Sequence, residues 1–342
     1  MTAQPSRRQP RQVSRFALAK GFVTVAISTI VLIGLCFVFA PSSVAAGALA
    51  GSLPFAAILV IVGLGQMLVV QQGGLDLSVA GGVSLSVVLA THYPSGDNAQ
   101  LLPAVLIAYA CAVGAGLVNG VLVGFVRLNA IVATIRMNAL IYGLVFAVSG
   151  GVPRITTELL AQIAGADSFG LGHSVWFALG ILTVTVFAMK TTVWGRRFEA
   201  IGANPLAAAA IGLNVRRHQM MAYVLAQLYY CSAGLLIAGI TTQPTAFQGD
   251  SLLLPSVAVV VLGGTSLLGG RGFPISTAIA ALFLNQLSQF AFAVGVPYSA
   301  QTIIQALALG VGIGIYSIRL PSFLSNINKL SNREEEDEVI VS

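Results

Sequence analysis

The feature that most constrains this chain is the scarcity of charge along very long apolar stretches. A helix that crosses a bilayer needs about 20 mainly apolar residues. Ten stretches meet or approach that length: 21–40, 53–71, 78–92, 101–126, 131–149, 174–190, 219–240, 251–268, 273–292 and 299–318. The third and eighth are short and interrupted by glycine. Only 8% of the 342 residues are charged and 56% are hydrophobic, whereas a soluble domain carries roughly 25% charged residues. So few charges cannot cover a water-facing surface, and so much apolar side chain excludes disorder. The sequence therefore predicts an all-α polytopic membrane protein of about ten transmembrane helices.

The placement of the charges predicts an orientation. With the N-terminus in the cytoplasm and ten spans, 16 of the 17 Lys and Arg fall on the cytoplasmic side, Arg154 being the exception. That is the asymmetry expected of basic residues flanking membrane helices. Asp97, Glu158, Asp167 and Asp250 fall outside, and both termini are cytoplasmic. The chain divides into a tail 1–20, one transmembrane domain 21–318 and an acidic tail 319–342 carrying Glu334, Glu335, Glu336, Asp337 and Glu338. The first apolar stretch exceeds the 7–15 residues typical of a signal-peptide core, so it reads as an uncleaved helix.

Several functions are excluded. The bases sit at helix ends, not on one aromatic-bearing patch, so no nucleic-acid partner is expected. Cys36, Cys111 and Cys231 are odd in number and lie in apolar runs, which fits neither disulfides nor zinc. His92, His173 and His218 have no Cys, Asp or Glu at metal-ligand spacing. No phosphate-binding G-x-x-x-x-G-K-[ST] loop occurs, and the only lysines are Lys20, Lys190 and Lys329. No catalytic residue, metal or cofactor is expected, and the chain is not expected to be an enzyme. Any energy from ATP would enter through another subunit.

The chain also resembles itself. Val69–Ser78 aligns with Val259–Leu268 at an offset of 190 residues, with a Gly-Gly pair in each segment. Two related halves are a frequent transporter plan, with interrupted helices near the solute path. In the first segment, Gly73, Gly74, Asp76 and Ser78 mark a helix break. Asp76 is either a functional acid at membrane depth or a structural one that satisfies free N–H groups where the next helix begins. In the second, Gly263, Gly264, Thr265, Ser266, Gly269 and Gly270 supply a backbone that can turn sharply.

The loop 191–218 is the longest cytoplasmic connection between spans. Within it Asn204 is a good helix N-cap, Pro205 suits the first helical position, and Gly212 is a natural stop after the alanines that include Ala208. The prediction is a short helix of about two turns with a small-residue surface, flanked by bases and suited to docking on a partner. Uncharged polar residues within the spans are candidates for a solute path: Gln66, Asn119, Asn138, the i,i+4 pair Asn285 and Gln289, and the pair Gln301 and Gln305. Amides and aromatic faces suit a neutral polyhydroxylated solute. The same amides also serve to bond neighbouring helices.

These motifs, in this order, resemble those of the membrane permeases of bacterial ABC importers for monosaccharides, a group related to the branched-chain amino-acid permeases. The resemblance is carried by Gly73–Val79, Asn119–Val123, Ile131–Thr134, Gly195–Val215 and Gly263–Gly272, covering about residues 55–318. It implies an inner-membrane subunit that works with ABC ATPase subunits, a second permease copy or paralogue, a periplasmic substrate-binding protein and a small-molecule sugar, in contact with membrane lipid. It also implies that Gly195, Arg196, Arg197, Glu199, Gly202, Asn204, Pro205, Ala208 and Gly212 belong to the ATPase-coupling loop. Ala80-Gly81, Asn129-Ala130 and Arg136-Met137-Asn138 depart from the group's usual residues at those places, which bears on the solute. Nucleosides, branched-chain amino acids or a furanosyl signal molecule are alternative cargoes, and an ATP-independent carrier is the alternative class.

Overall fold

The structure is a computed structural model that describes residues 17–297 and the isolated residues 300, 303 and 307. The expected tenth stretch 299–318, with Gln301 and Gln305, and the acidic tail 319–342 lie outside the described residues. Twelve helices are described: α1 (Ala17–Phe39), α2 (Ala46–Gln71), α3 (Val79–His92), α4 (Leu101–Gly124), α5 (Ala130–Ser149), α6 (Glu158–Gly165), α7 (His173–Thr191), α8 (Val193–Ala203), α9 (Pro205–Ala210), α10 (Val215–Thr241), α11 (Leu253–Leu262) and α12 (Pro274–Ala293). Seven of them (α1, α2, α4, α5, α7, α10 and α12) are long and apolar enough to cross a membrane. The stretches read as short and glycine-interrupted are short helices here, α3 with 14 residues and α11 with 10.

The bundle is built around α2 and α10. Every residue of α2 from Ala56 to Gln71 is buried, as expected of a helix that is apolar all round. Helix α10 packs against α4, α2 and α3. Its approach to α4 is set by Gly116, Gly120 and Gly124, spaced four apart on one face. A Cβ on Gly116 would stand 2.6 Å from Val224 Cα, and one on Gly120 2.7 Å from Met220 Cγ. Small residues at this spacing let two membrane helices approach to backbone contact. The peripheral α1 packs on α12 and leaves Ile30, Phe37, Val38 and Phe39 exposed.

Two features between α5 and α7 were not anticipated. The connection 150–173 contains α6, capped by the Thr157 hydroxyl on the Leu160 N–H at 3.3 Å. It also contains the only strands among the described residues, β1 (Asp167–Ser168) and β2 (Leu171–Gly172), paired antiparallel. Their turn residues Phe169 and Gly170 have φ of 55° and 76°, the conformation of a tight two-residue hairpin turn.

Candidate functional site

The two helix breaks end alike. At the end of α2, the Gly73 N–H donates to Val70 O at 2.9 Å and the Gly74 N–H to Val69 O at 3.2 Å. At the end of α11, the Gly264 N–H donates to Val261 O at 2.9 Å and the Thr265 N–H to Val260 O at 3.1 Å. Each is the paired-bond motif that closes a helix on a left-handed residue. That residue is Gly73 (φ 77°) in one and Gly264 (φ 90°) in the other. Gly264 lies 191 positions after Gly73, so the structural register is one residue longer than the 190 read from the sequence. The reason is conformational: the left-handed residue is the first glycine of one pair and the second of the other.

Beyond the first break, polar side chains from four elements converge in the core. Asp76, Ser78, Asn119 and Gln227 are all fully buried. The Ser78 N–H donates to Asp76 Oδ1 at 2.9 Å, and the Ser78 hydroxyl donates to the same oxygen. Ser78 Oγ in turn accepts from Asn119 Nδ2 of α4 and Gln227 Nε2 of α10, each at 2.8 Å. Helix α5 joins through Thr134, whose Oγ1 accepts from the Leu77 N–H at 3.0 Å, and Asn138, whose Oδ1 accepts from the Gly81 N–H at 2.7 Å. Asp76 thus occupies the break itself, where its carboxylate takes up the free N–H of Ser78. Tyr223 Oη, Asn119 Oδ1 and Gln227 Oε1 are buried there without a hydrogen-bond partner among the described residues.

The loop 191–218 is more structured than expected. It begins with α8, capped by the Thr192 hydroxyl on the Gly195 N–H at 3.0 Å, and α8 buries Phe198 and Ile201. Gly195 lets α8 lie on α7, since a Cβ there would meet Ala188 O at 2.3 Å. The predicted short helix follows as α9, six residues long. Asn204 Oδ1 accepts from the Ala207 N–H at 3.0 Å, Pro205 is the first residue, and Gly212 closes the end at φ 82°. Its exposed surface includes the small residues Ala207, Ala209 and Ala210, as expected, and adds two large apolar ones, Leu206 and Ile211, which are 84% and 75% exposed. Ala208 alone of the four alanines is buried within the chain.

Three segments distant in sequence then meet at one junction. Gln72 Nε2 of the first break donates to Phe198 O of α8 at 2.9 Å. The Gly270 N–H donates to Gln71 O at 3.0 Å. Glu199 Oε1 and Arg271 Nε pair at 2.6 Å. A Cβ on Gly202 would stand 2.2 Å from Gln71 O and 3.0 Å from Gly270 O, and one on Gly269 would stand 2.9 Å from Gly202 O. The contacts are backbone to backbone, and only glycine allows them. Of the remaining loop residues, Arg196 Nη1 donates to Thr191 O at 3.1 Å and Arg197 is exposed.

The candidate path residues do not form one group. Asn119 and Asn138 belong to the Asp76 web, whereas Gln66 accepts from Tyr230 Oη at 2.7 Å deeper along α2. Asn285 and Gln289 are half-buried on α12. A neighbouring amide, Gln286, is the one that ties α12 to Ser43 O at 3.3 Å. Sequence reasoning did not single out α8, Gln71, Gln72 or Gln286. The apolar spacing Trp194, Phe198, Ile201 was the signal available for α8.

A helical bundle with two interrupted apolar helices and a helical connection between α7 and α10 defines a multi-pass membrane permease. More narrowly, the chain belongs to the family described as "Branched-chain amino acid transport system / permease component", whose profile matches residues 48–311. It is 32% identical over 258 residues to the "Probable ABC transporter permease protein y4mJ" of Sinorhizobium fredii, covering 75% of this chain and 77% of that one. It is 30% identical over 290 residues to the "Ribose import permease protein RbsC" of Escherichia coli, covering 83% and 89%. It is 32% identical over 235 residues to the "Autoinducer 2 import system permease protein LsrC" of an Enterobacter strain, covering 67% of each. No solved structure matches the chain.

Proposed function

We propose that this chain is the inner-membrane permease subunit of an ATP-driven importer and that its cargo is a monosaccharide. The relatives named as ribose import permeases support the cargo. The junction of Gln71, Gly202 and Gly270 is the observation that supports the coupling. A cytoplasmic helix pair that grips both helix breaks gives a motor bound below a lever on the helices above. In this reading ten spans in two related halves leave both termini in the cytoplasm, and α9 is the coupling helix. Its exposed Leu206 and Ile211 enter a groove on an ABC ATPase. A second permease copy or paralogue completes the pathway, and a periplasmic binding protein delivers the sugar. The amides of the core then need only weak contacts with the solute, since selection is made by the binding protein. The glycine-lined breaks and the Asp76 web serve as gates that reposition when ATP closes the motor.

A second cargo is favoured by a specific relative, the autoinducer 2 import permease. A small signal molecule is therefore the alternative to a metabolic sugar. Reconstitution in liposomes tests both readings. The expected result is uptake that requires an ATPase subunit, a binding protein and ATP. Uptake by the chain alone, driven by a gradient, overturns the importer. Ligand binding by the partner protein decides between a pentose or hexose and a signal molecule.

A further inference from the structure

Beside α9 lies a groove of about 810 Å³, bounded by the end of α4, by α9 and by the start of α10. Arg127, Leu206, Leu213, Asn214, Arg216 and Gln219 are among its lining residues, and the lining contains no acid. Arg127 and Arg216 are exposed and in no ion pair among the described residues. Arg217 follows directly, and the N-terminal end of the 27-residue α10 also faces this region, adding partial positive charge. The groove is thus a concentrated positive surface, with an apolar wall supplied by Leu206, on a chain with few charges.

The chain carries one segment of matching chemistry that the transport reading leaves without a role. Glu334, Glu335, Glu336, Asp337 and Glu338 are five consecutive acids, followed by Val339, Ile340 and Val341. They lie outside the described residues, so their position is argued from charge and reach. Fifteen residues separate Ile318, at the end of the tenth apolar stretch, from Glu334. At about 3.3 Å per residue these span up to roughly 50 Å, enough to cross the cytoplasmic face of one subunit.

We propose that the groove between α4, α9 and α10 binds the chain's own acidic segment Glu334–Glu338. The carboxylates face Arg127 and Arg216, and the apolar residues that follow lie along Leu206. This assignment concerns the groove and the tail alone and does not depend on the cargo or on the motor. Under the coupling reading it has a consequence. A tail seated against α9 covers one side of the helix that the ATPase would grip, so it competes with engagement and lowers basal ATP use.

Cysteine cross-linking in the full-length protein in native membranes tests the proposal. Gln219→Cys in the groove is paired with Val339→Cys in the tail. Leu268→Cys, on the 94%-exposed tip of the second break, is paired with the same tail residue as a comparator. The expected result is a disulfide within one chain that forms at least fivefold faster for Gln219→Cys than for Leu268→Cys. Replacing all five acids with Gln, or Arg127 and Arg216 with Gln, should bring the rate to the comparator level, since each exposed pair contributes roughly a two- to fivefold factor. Raising salt from 0.05 to 0.5 M should have the same direction of effect. Equal rates for the two pairs, insensitivity to both charge replacements, or an adduct only between two chains overturns it. An anionic lipid or the ATPase filling the groove gives the first of these outcomes. If cross-linking holds while the five-Gln variant leaves basal ATP use unchanged, the docking stands and the coupling reading is what fails.

Discussion

Gly202→Ala is the sharpest test of the junction. A Cβ at residue 202 would lie 2.2 Å from Gln71 O and 3.0 Å from Gly270 O. Both oxygens are main-chain atoms, so neither can swing aside as a flexible side chain would. Restoring an ordinary contact requires α8 to withdraw by about 1 Å. The new Cβ also presses on Gly270 O, which wedges Gly270 from Gln71 and weakens the Gly270 N–H to Gln71 O bond, 3.0 Å long. Overpacking costs about 1–3 kcal/mol and the weakening of that bond about 1 kcal/mol. Together these shift the junction toward disengagement by about 2–4 kcal/mol, which is one to three orders of magnitude in its local equilibrium. The assay is solute imported per ATP hydrolysed in liposomes holding the complete importer. The expected ratio falls at least tenfold while ATP hydrolysis continues. Glu199→Gln is the internal comparison. That ion pair is half exposed on its Arg271 side and 28% exposed on Glu199, so it contributes at most about 1 kcal/mol and its loss should lower the ratio less than about fivefold. A wild-type ratio in Gly202→Ala, or equal damage from Glu199→Gln, refutes the reasoning.

Three further outcomes are expected. Asp76→Leu strands the Ser78 N–H and the Ser78 hydroxyl in the core at about 1–3 kcal/mol for each group. It should therefore melt well below Asp76→Asn, which keeps an acceptor oxygen, in thermal unfolding of the detergent-solubilised protein. Gly120→Leu forces side-chain atoms into Met220, whose Cα and O lie within 2.8 Å of the new Cβ. The separation of α4 from α10 should cost about 3 kcal/mol or more and show as loss of folded protein by size-exclusion chromatography. Asn204→Ala removes the cap on the Ala207 N–H at about 1 kcal/mol, so amide exchange in α9 should accelerate about fivefold by mass spectrometry.

Local signals made part of this fold legible. Charge-free stretches located the helices, including the short α3 and α11. Asn204, Pro205 and Gly212 bounded α9 because capping is decided within a few residues. What could not be read depends on partners distant in sequence. Gly202 looks like any helical glycine until Gln71 O arrives from 131 residues earlier. Ala208 and Leu206 are both compatible with a docking surface until packing turns one inward and the other outward. The register of the two breaks was off by one because a Gly-Gly pair does not say which glycine adopts the left-handed conformation. Gln227 is an amide in an apolar run, a residue type that bonds neighbouring helices more often than it touches a solute. Its actual partner, Ser78, is 149 residues away.

The two breaks end their helices alike but are held very differently, and the difference decides which moves first. The chain after Gly74 is tied to α4, α5 and α10 by the bonds of Leu77, Ser78 and Gly81 to Thr134, Asn119, Gln227 and Asn138. After Gly264 the hydroxyl of Thr265 is buried without a partner among the described residues, and Leu268 is 94% exposed. The bonds of Leu268 and Gly269 return only to Ser266. Among the described residues, what holds this second segment to the rest is the Gly270 bond to Gln71, the exposed pair of Arg271 with Glu199 and the glycine packing of Gly269 and Gly270 on Gly202 of α8. Local opening is set by the contacts that must break, and here two of the three are made with α8. Residues 265–271 are therefore the segment that a displacement of α8 releases first, with 75–81 remaining fixed to the bundle. Hydrogen exchange on the intact protein measures the difference. Amides of 265–271 should exchange at least a hundredfold faster than those of Leu77, Ser78 and Gly81, and Gly202→Ala should accelerate the first group while leaving the second unchanged. Equal protection of the two segments would remove the asymmetry, and with it the claim that the second break is the one that yields.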